Sequence, residues 1–197
     1  PAAVAHVTVA QGERVSWLED WELRVEQGCH ALNIPSPETF FAPYPGGAAL
    51  GFTAPIDMLY GATELNEWAI KAAQHPRLSW SEVSDAIKAT LAEERNPAMT
   101  GMQRAARSQG KPFLWDDDHV SVGLGKGAQT WTADTIPDPA DVSWSDVTRV
   151  PVAVITGTNG KTTTSRLLTR MLRQDGLRVG STSTDGVCVD EAIVERG

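Results

Sequence analysis

Cysteine, histidine and positive charge are all scarce in this chain, and each scarcity closes off a class of function. Cys29 and Cys188 are the only cysteines in 197 residues, and they form no CxxC and no metal-ligand spacing. A disulfide-stapled fold and a cysteine zinc site are therefore excluded. The expectation is two unpaired thiols in a reducing, cytoplasmic compartment. The four histidines, His6, His30, His75 and His119, are scattered without the spacing that puts two metal ligands on one helix face. The formal net charge is −8. The chain thus lacks the basic footprint that nucleic acid or an anionic membrane surface demands. No apolar run approaches the roughly 20 residues of a membrane span. The start, Pro1-Ala-Ala-Val-Ala-His6, has no basic region ahead of an apolar stretch, so it does not read as a signal peptide. The missing initiator Met is expected to reflect processing or a cut chain.

What remains is an ordinary globular composition, 41% hydrophobic and 21% charged. The length accommodates one full domain, or one plus part of another, at roughly 100–200 residues per domain. Charge is unevenly spread. Residues 1–150 hold 11 Lys/Arg against 20 Asp/Glu, and residues 151–197 hold 6 against 5. All seven tryptophans lie in the first part. This asymmetry points to two units.

Periodicity places the elements. Alternation over residues 4–10 predicts a strand. Val15, Leu18, Val25, Cys29 and Leu32 recur at helical steps over 13–32. After Pro35 and Pro37 and a Gly/Pro stretch, Ala48–Ala54 reads as a buried strand. A helix follows to about Gln74, with Leu59, Leu65, Trp68 and Ala69 inward, and His75-Pro76 stops it. Ser79-Trp-Ser-Glu82 fits a capping box opening a helix to about Arg95. A further helix over about 98–109 ends at Gly110. Strands are expected at 113–115, 119–125 and 128–132. Asp116-Asp-Asp118 reads as a solvated acidic turn rather than a metal site, and Gly123–Gly127 as a hairpin turn rather than a second anion loop. Residues 134–149, rich in Asp, Pro and Ser, are the best linker candidate.

From Val150 the character changes. Val152–Ile155 is a short all-apolar run, as expected for a strand buried in a parallel sheet. Residues 161–175 read as a helix with Leu167, Leu168, Met171 and Leu172 inward and Arg166, Arg170 and Arg173 outward. Residues 177–183 return as a strand, giving a βαβ unit. A hairpin, 187–189 to 192–194, ends the chain. The expected fold is α/β. An N-terminal α/β domain (1–133) and a linker (134–149) precede the first βαβ unit of a parallel-sheet ATP-binding domain (150–197), which is incomplete.

Between the predicted strand and helix lies Thr156-Gly-Thr-Asn-Gly-Lys-Thr-Thr-Thr164. Phosphate oxygens need many donors at close range. Glycines let the backbone turn its N–H groups inward, and the following helix points its positive end at the same place. Lys161 is placed to reach the outer phosphates, Thr162 to ligate Mg²⁺, and Asn159 to bond beside the phosphates. The strict loop pattern puts its first glycine where Ile155 stands, so the chain carries G-x-x-G-K-T instead. A kinase would carry the stricter loop and an Arg-rich lid, and neither is present.

Val152–Thr164 resembles the ATP loop of the Mur ligase family, in which a T-G-T-N-G-K-T-T loop replaces the stricter pattern. Ser181-Thr-Ser-Thr-Asp-Gly-Val187 with Val194–Gly197 resembles the Mur-ligase-like part of cyanophycin synthetase and its shorter relatives. Thr53–Tyr60, Glu64–Trp68 and Phe113–Asp118 resemble the N-terminal region of those shorter relatives. The resemblance implies ATP-dependent amide-bond formation through an acyl phosphate, with ATP and Mg²⁺ as cofactors and an amino acid or peptide as substrate. Carried over, Gly157, Thr158, Asn159, Gly160, Lys161, Thr162 and Thr163 hold the triphosphate, with Lys161 catalytic. Thr162 ligates Mg²⁺, and Ser183 or Thr184 matches a Ser/Thr position near the metal. Family members also use later residues and a third domain, so the chain is expected to be the N-terminal portion of a ligase, completed by the rest of the protein or a second chain. Self-association of identical chains stays open. The alternative is a nucleotide-binding regulatory module without ligase activity.

Overall fold

Alternation along Ala2–Thr8 produces the first strand, β1, of the computed structural model. The structure describes residues 1–8, 17–35, 37–75, 77–184, 186–190 and 192–195. The expected strand end at 9–10, the expected helix start at 13 with Val15, the stop at Pro76, and Asp185 lie outside the described residues, as do Arg196 and Gly197. The chain divides into two compact units, Pro1–Arg149 and Val150–Gly197. Helices and strands mix in both, so the coarse α/β class holds. Among the described residues no helix is long and apolar enough to cross a membrane.

In the first unit β1 runs antiparallel to β3 (Gly47–Thr53), from Ala2 opposite Thr53 to Thr8 opposite Gly47. On the other side of β3 lies β2 (Thr39–Tyr44), giving the order β1-β3-β2. Strand β2 is absent from the sequence expectation because Pro43 reads as a strand breaker. It is tolerated here because an edge strand does not need every N–H. Ala3, Ala48, Leu50 and Phe52 face the core from one side of this sheet. There they meet α1 (Leu18–Ala31), α2 (Leu59–Gln74) and α3 (Ser84–Glu94). Ser79 and Glu82 form the expected capping box, but it opens a 3-10 turn, Trp80–Glu82, and α3 starts only at Ser84.

Trp21, Val25, Leu50, Phe52, Leu65 and Ala69 are fully buried. At roughly 1.5–3 kcal/mol per large apolar side chain, burial of this set supplies most of the stabilisation of this layer. One polar residue enters the core with its bonds made. The Trp21 indole N–H donates to Asn66 Oδ1 at 2.9 Å, and Asn66 Nδ2 donates to Leu50 O at 3.1 Å. Asn66 thereby ties α1, α2 and β3 together.

A second cluster forms under α4 (Pro97–Ser108) and an antiparallel sheet of β4 (Phe113–Trp115), β5 (His119–Val122) and β6 (Gln129–Thr132). Met99, Met102, Ala106, Val120 and Val122 fill it, joined by Val142 and Val147. The latter two come from the 134–149 segment. Its Asp- and Pro-rich composition reads as a linker, yet two valines at five-residue spacing carry it into the core. Composition averages over a segment, while burial is decided by single apolar side chains.

The two clusters meet at Glu94-Arg95-Asn96. Glu94 accepts the N–H groups of Tyr60 and Gly61 at 2.9 and 3.1 Å, capping the exposed start of α2 from another helix. Buried Asp57 accepts from Asn96 N at 3.1 Å and pairs with Arg95 Nε at 3.3 Å. Asn96 Oδ1 caps α4 through Met99 N, and its Nδ2 reaches Ala133 O.

The second unit contains α5 (Lys161–Gln174) and an antiparallel sheet of β7 (Gly180–Ser183), β8 (Gly186–Val189) and β9 (Ala192–Glu195), in that order. Three expectations are corrected here. Residues 152–155 form no strand, and Val152 and Val154 are 70% and 88% exposed. A parallel strand needs a hydrogen-bonded neighbour, and none of the described residues supplies one. Strand β7 pairs antiparallel with β8, Gly180 opposite Val189, so the parallel βαβ pairing is absent among the described residues. Finally, α5 is amphipathic as expected but buries no residue, with Leu167 and Met171 each 58% exposed. The helical period fixes which side chains share a face. It does not supply the surface that would cover them.

Candidate functional site

The glycine-lysine-threonine loop sits at the start of α5. Gly160 occupies the N-cap with φ 79°, a left-handed conformation that glycine adopts without a Cβ penalty. Gly157 has φ 146°, also on the positive side. These two glycines turn the chain sharply, so that the first N–H groups of α5 are left without a helical partner at the loop. Helix formation begins at once, with Thr164 N donating to Gly160 O at 2.9 Å. No acidic residue stands in the first turn, which leaves the positive end of the helix dipole uncompensated. Lys161 Nζ folds back and donates to Gly157 O at 2.5 Å. Its ammonium is therefore held back against the loop at Gly157.

Thr158, Asn159, Gly160, Lys161 and Thr163 are exposed, and Thr162 is half-buried. A Cβ at Gly160 would meet nothing within 4 Å, so the space above the loop is open. Backbone donors, a dipole end, a tethered cation and threonine hydroxyls within one exposed loop are the chemical types that suit an oxyanion. Ser183 ends β7 opposite Gly186, and Thr184 begins the turn towards β8; both are exposed.

Other sequence candidates are absorbed by structure. Asp116 Oδ1 accepts the N–H groups of Asp118 at 2.9 Å and His119 at 2.6 Å, closing the β4–β5 turn. Those two backbone donors hold its carboxyl below the usual 3.8. Among the described residues no group of three or more His, Cys, Asp or Glu is placed to hold a metal. Residues 125–127 form a short 3-10 turn between β5 and β6, fastened by Thr148, whose hydroxyl takes Gly127 N–H and donates to Leu124 O. Both cysteines are free thiols, and burial pushes Cys29 up to about 12, which makes it unreactive.

The sequence gives no hint of a groove on the first unit. It measures about 390 Å³ and runs along β1 beside α2, lined by Val4, His6, Val7, Glu67, Ile70 and Lys71 among others. Strand β1, along which it runs, is seven residues without charge or proline.

The chain is thus a mixed helix–strand protein with a glycine-lysine-threonine loop at a helix N-terminus. No family model matches it. Parts of it are similar to cyanophycin synthetases. It is 47% identical to that of Crocosphaera subtropica over 77 residues, which is 39% of this chain and 8% of the relative. It is 55% identical over 49 residues, 25% of this chain and 6% of each relative, to those of Synechocystis sp. and Geminocystis herdmanii. The matched segments therefore span less than a tenth of the length of these curated relatives.

Proposed function

We propose that this chain supplies the phosphate-binding loop of an ATP-dependent carboxylate–amine ligase of the Mur ligase type, acting on an amino acid or peptide. The observation that carries the proposal is the loop itself. Gly157 and Gly160 lie at positive φ, α5 starts without an acidic first turn, and Lys161 is tethered across the turn. The similarity to cyanophycin synthetases over 49–77 residues supports the same reading.

In this reading Gly157–Thr163 hold the triphosphate through backbone N–H groups and threonine hydroxyls. Lys161 swings from Gly157 O to the outer phosphates and offsets the charge that develops there. Phosphoryl transfer asks mostly for positioning and charge neutralisation, which is what such a loop provides. Thr162 is the residue in the loop suited to hold Mg²⁺, with Ser183 or Thr184 as a second candidate. The ion would neutralise phosphate charge. The carboxylate substrate accepts the γ-phosphoryl group as ADP leaves, and an amine then attacks the acyl phosphate, losing its proton and expelling inorganic phosphate to form the amide. The groups that select these substrates belong to the remainder of the ligase, in the same protein or a second chain.

The test is phosphate release from ATP in the complete ligase, driven by candidate amino acids and short peptides. Lys161→Ala is expected to lower turnover by at least about 100-fold, with the far-ultraviolet dichroism unchanged. Undiminished turnover rejects the proposal. A regulatory module would bind ATP with the same loop but form no amide with any substrate.

A further inference from the structure

Strand β1 is the exposed edge of its sheet, and it carries none of the usual protection. Edge strands in stable monomers are blunted by charge, proline or a bulge, because free N–H and C=O groups otherwise template pairing. The opposite edge, β2, has Pro43. By contrast β1 is Ala-Ala-Val-Ala-His-Val-Thr, seven residues in unbroken register with β3. Among the described residues no strand pairs with its outer side.

Parity shows which groups are free. Pro1 O accepts Ala54 N at 3.3 Å, so the odd-numbered residues turn their backbone groups towards β3. Ala2, Val4, His6 and Thr8 then point theirs to the outer side of the strand, where Val4 and His6 line the groove between β1 and α2. The wall of that groove is Ile70, flanked by Glu67 and Lys71, an exposed i,i+4 ion pair at 3.4 Å whose remaining donors and acceptors face outward for a second, alternating pair.

We infer that two copies of this chain associate through β1, antiparallel about a two-fold axis near Ala5. Such pairing sets Val4 opposite the partner's His6 and Ala2 opposite the partner's Thr8. These are the residues whose backbone groups are free, so the ladder closes without disturbing β3. The same axis brings the two α2 helices side by side in opposite directions. Lys71 of one copy then faces the partner's Glu67, and Glu67 the partner's Lys71. A charge pair that complements itself under a two-fold rotation is what an isologous interface requires, and this complementarity is the reason to name a second copy rather than a foreign strand. The two three-stranded sheets become one sheet of six.

Sedimentation of the full chain across a concentration series tests this. The wild-type chain is expected to reach twice its monomer mass. Lys71→Glu places like charges across the axis and is expected to weaken dimerisation by about tenfold or more. The double exchange Glu67→Lys with Lys71→Glu restores complementarity and is expected to restore the dimer. A chain that stays monomeric throughout overturns the inference, including a monomer that captures an added unrelated strand peptide at β1. A dimer indifferent to Lys71→Glu overturns it as well, since the contact then uses another face.

Discussion

Asp116, expected in a solvated acidic turn, is the residue that builds that turn. Its carboxylate closes the β4–β5 turn by accepting two backbone N–H groups, and those donors favour its charged form. Because the folded pKa is depressed, the stabilisation is present above the range where a free carboxylate titrates. It is lost as pH falls through the folded value. A carbon-detected titration of Asp116 is expected to give a midpoint below 3.8; a midpoint at or above that value would show that the turn does not form. The residue lies on the surface, so the effect concerns the local turn. Lys161 is the opposite case. Its ammonium donates to a carbonyl four residues back, and a single such bond leaves further N–H donors for a ligand.

Elements here are positioned by close approach as much as by hydrophobic pattern. Helices α1 and α2 cross where Gly28 faces Leu65. A Cβ at Gly28 would sit 2.3 Å from Leu65 Cδ1, and Leu65 is fully buried. Alanine at this position gains about 1 kcal/mol of helix propensity but forces Leu65 to move in a packed core. Gly28→Ala is expected to cost about 1–2 kcal/mol net, read from the shift in denaturant midpoint at constant slope. A stabilised variant would mean that the helices can part without loss. Leu65 was legible from the sequence as a core residue. Gly28 was not, because a glycine leaves no mark in a hydrophobic pattern and its role depends on which helix crosses it.

At the scale of the whole molecule, burial is concentrated in one unit. The first unit holds two filled cores, whereas α5 in the second buries no side chain and leaves Leu167 and Met171 exposed. Local opening costs least where few apolar contacts must break. Native-state hydrogen exchange of the chain is therefore expected to protect the α2 amides at least about 100-fold more than those of α5. Equal protection would show that the α5 surface is covered. In the curated relatives the matched segments are a small fraction of the length.

The sequence by itself determined the helical and strand periods, the end of α4 near Gly110 and the glycine-lysine-threonine loop with its helix. Each of these rests on neighbours within a few residues. It also marked most of the first core, through Val25, Leu65 and Trp68. Only the tertiary structure decided that Thr39–Tyr44 pairs as β2, that Val142 and Val147 enter a core, that 152–155 forms no strand and that β7 turns back onto β8. The physical reason is the same in all four. A strand exists only if a partner supplies its hydrogen bonds, and a side chain is buried only if another element covers it. Neither condition is written in the local order of residues.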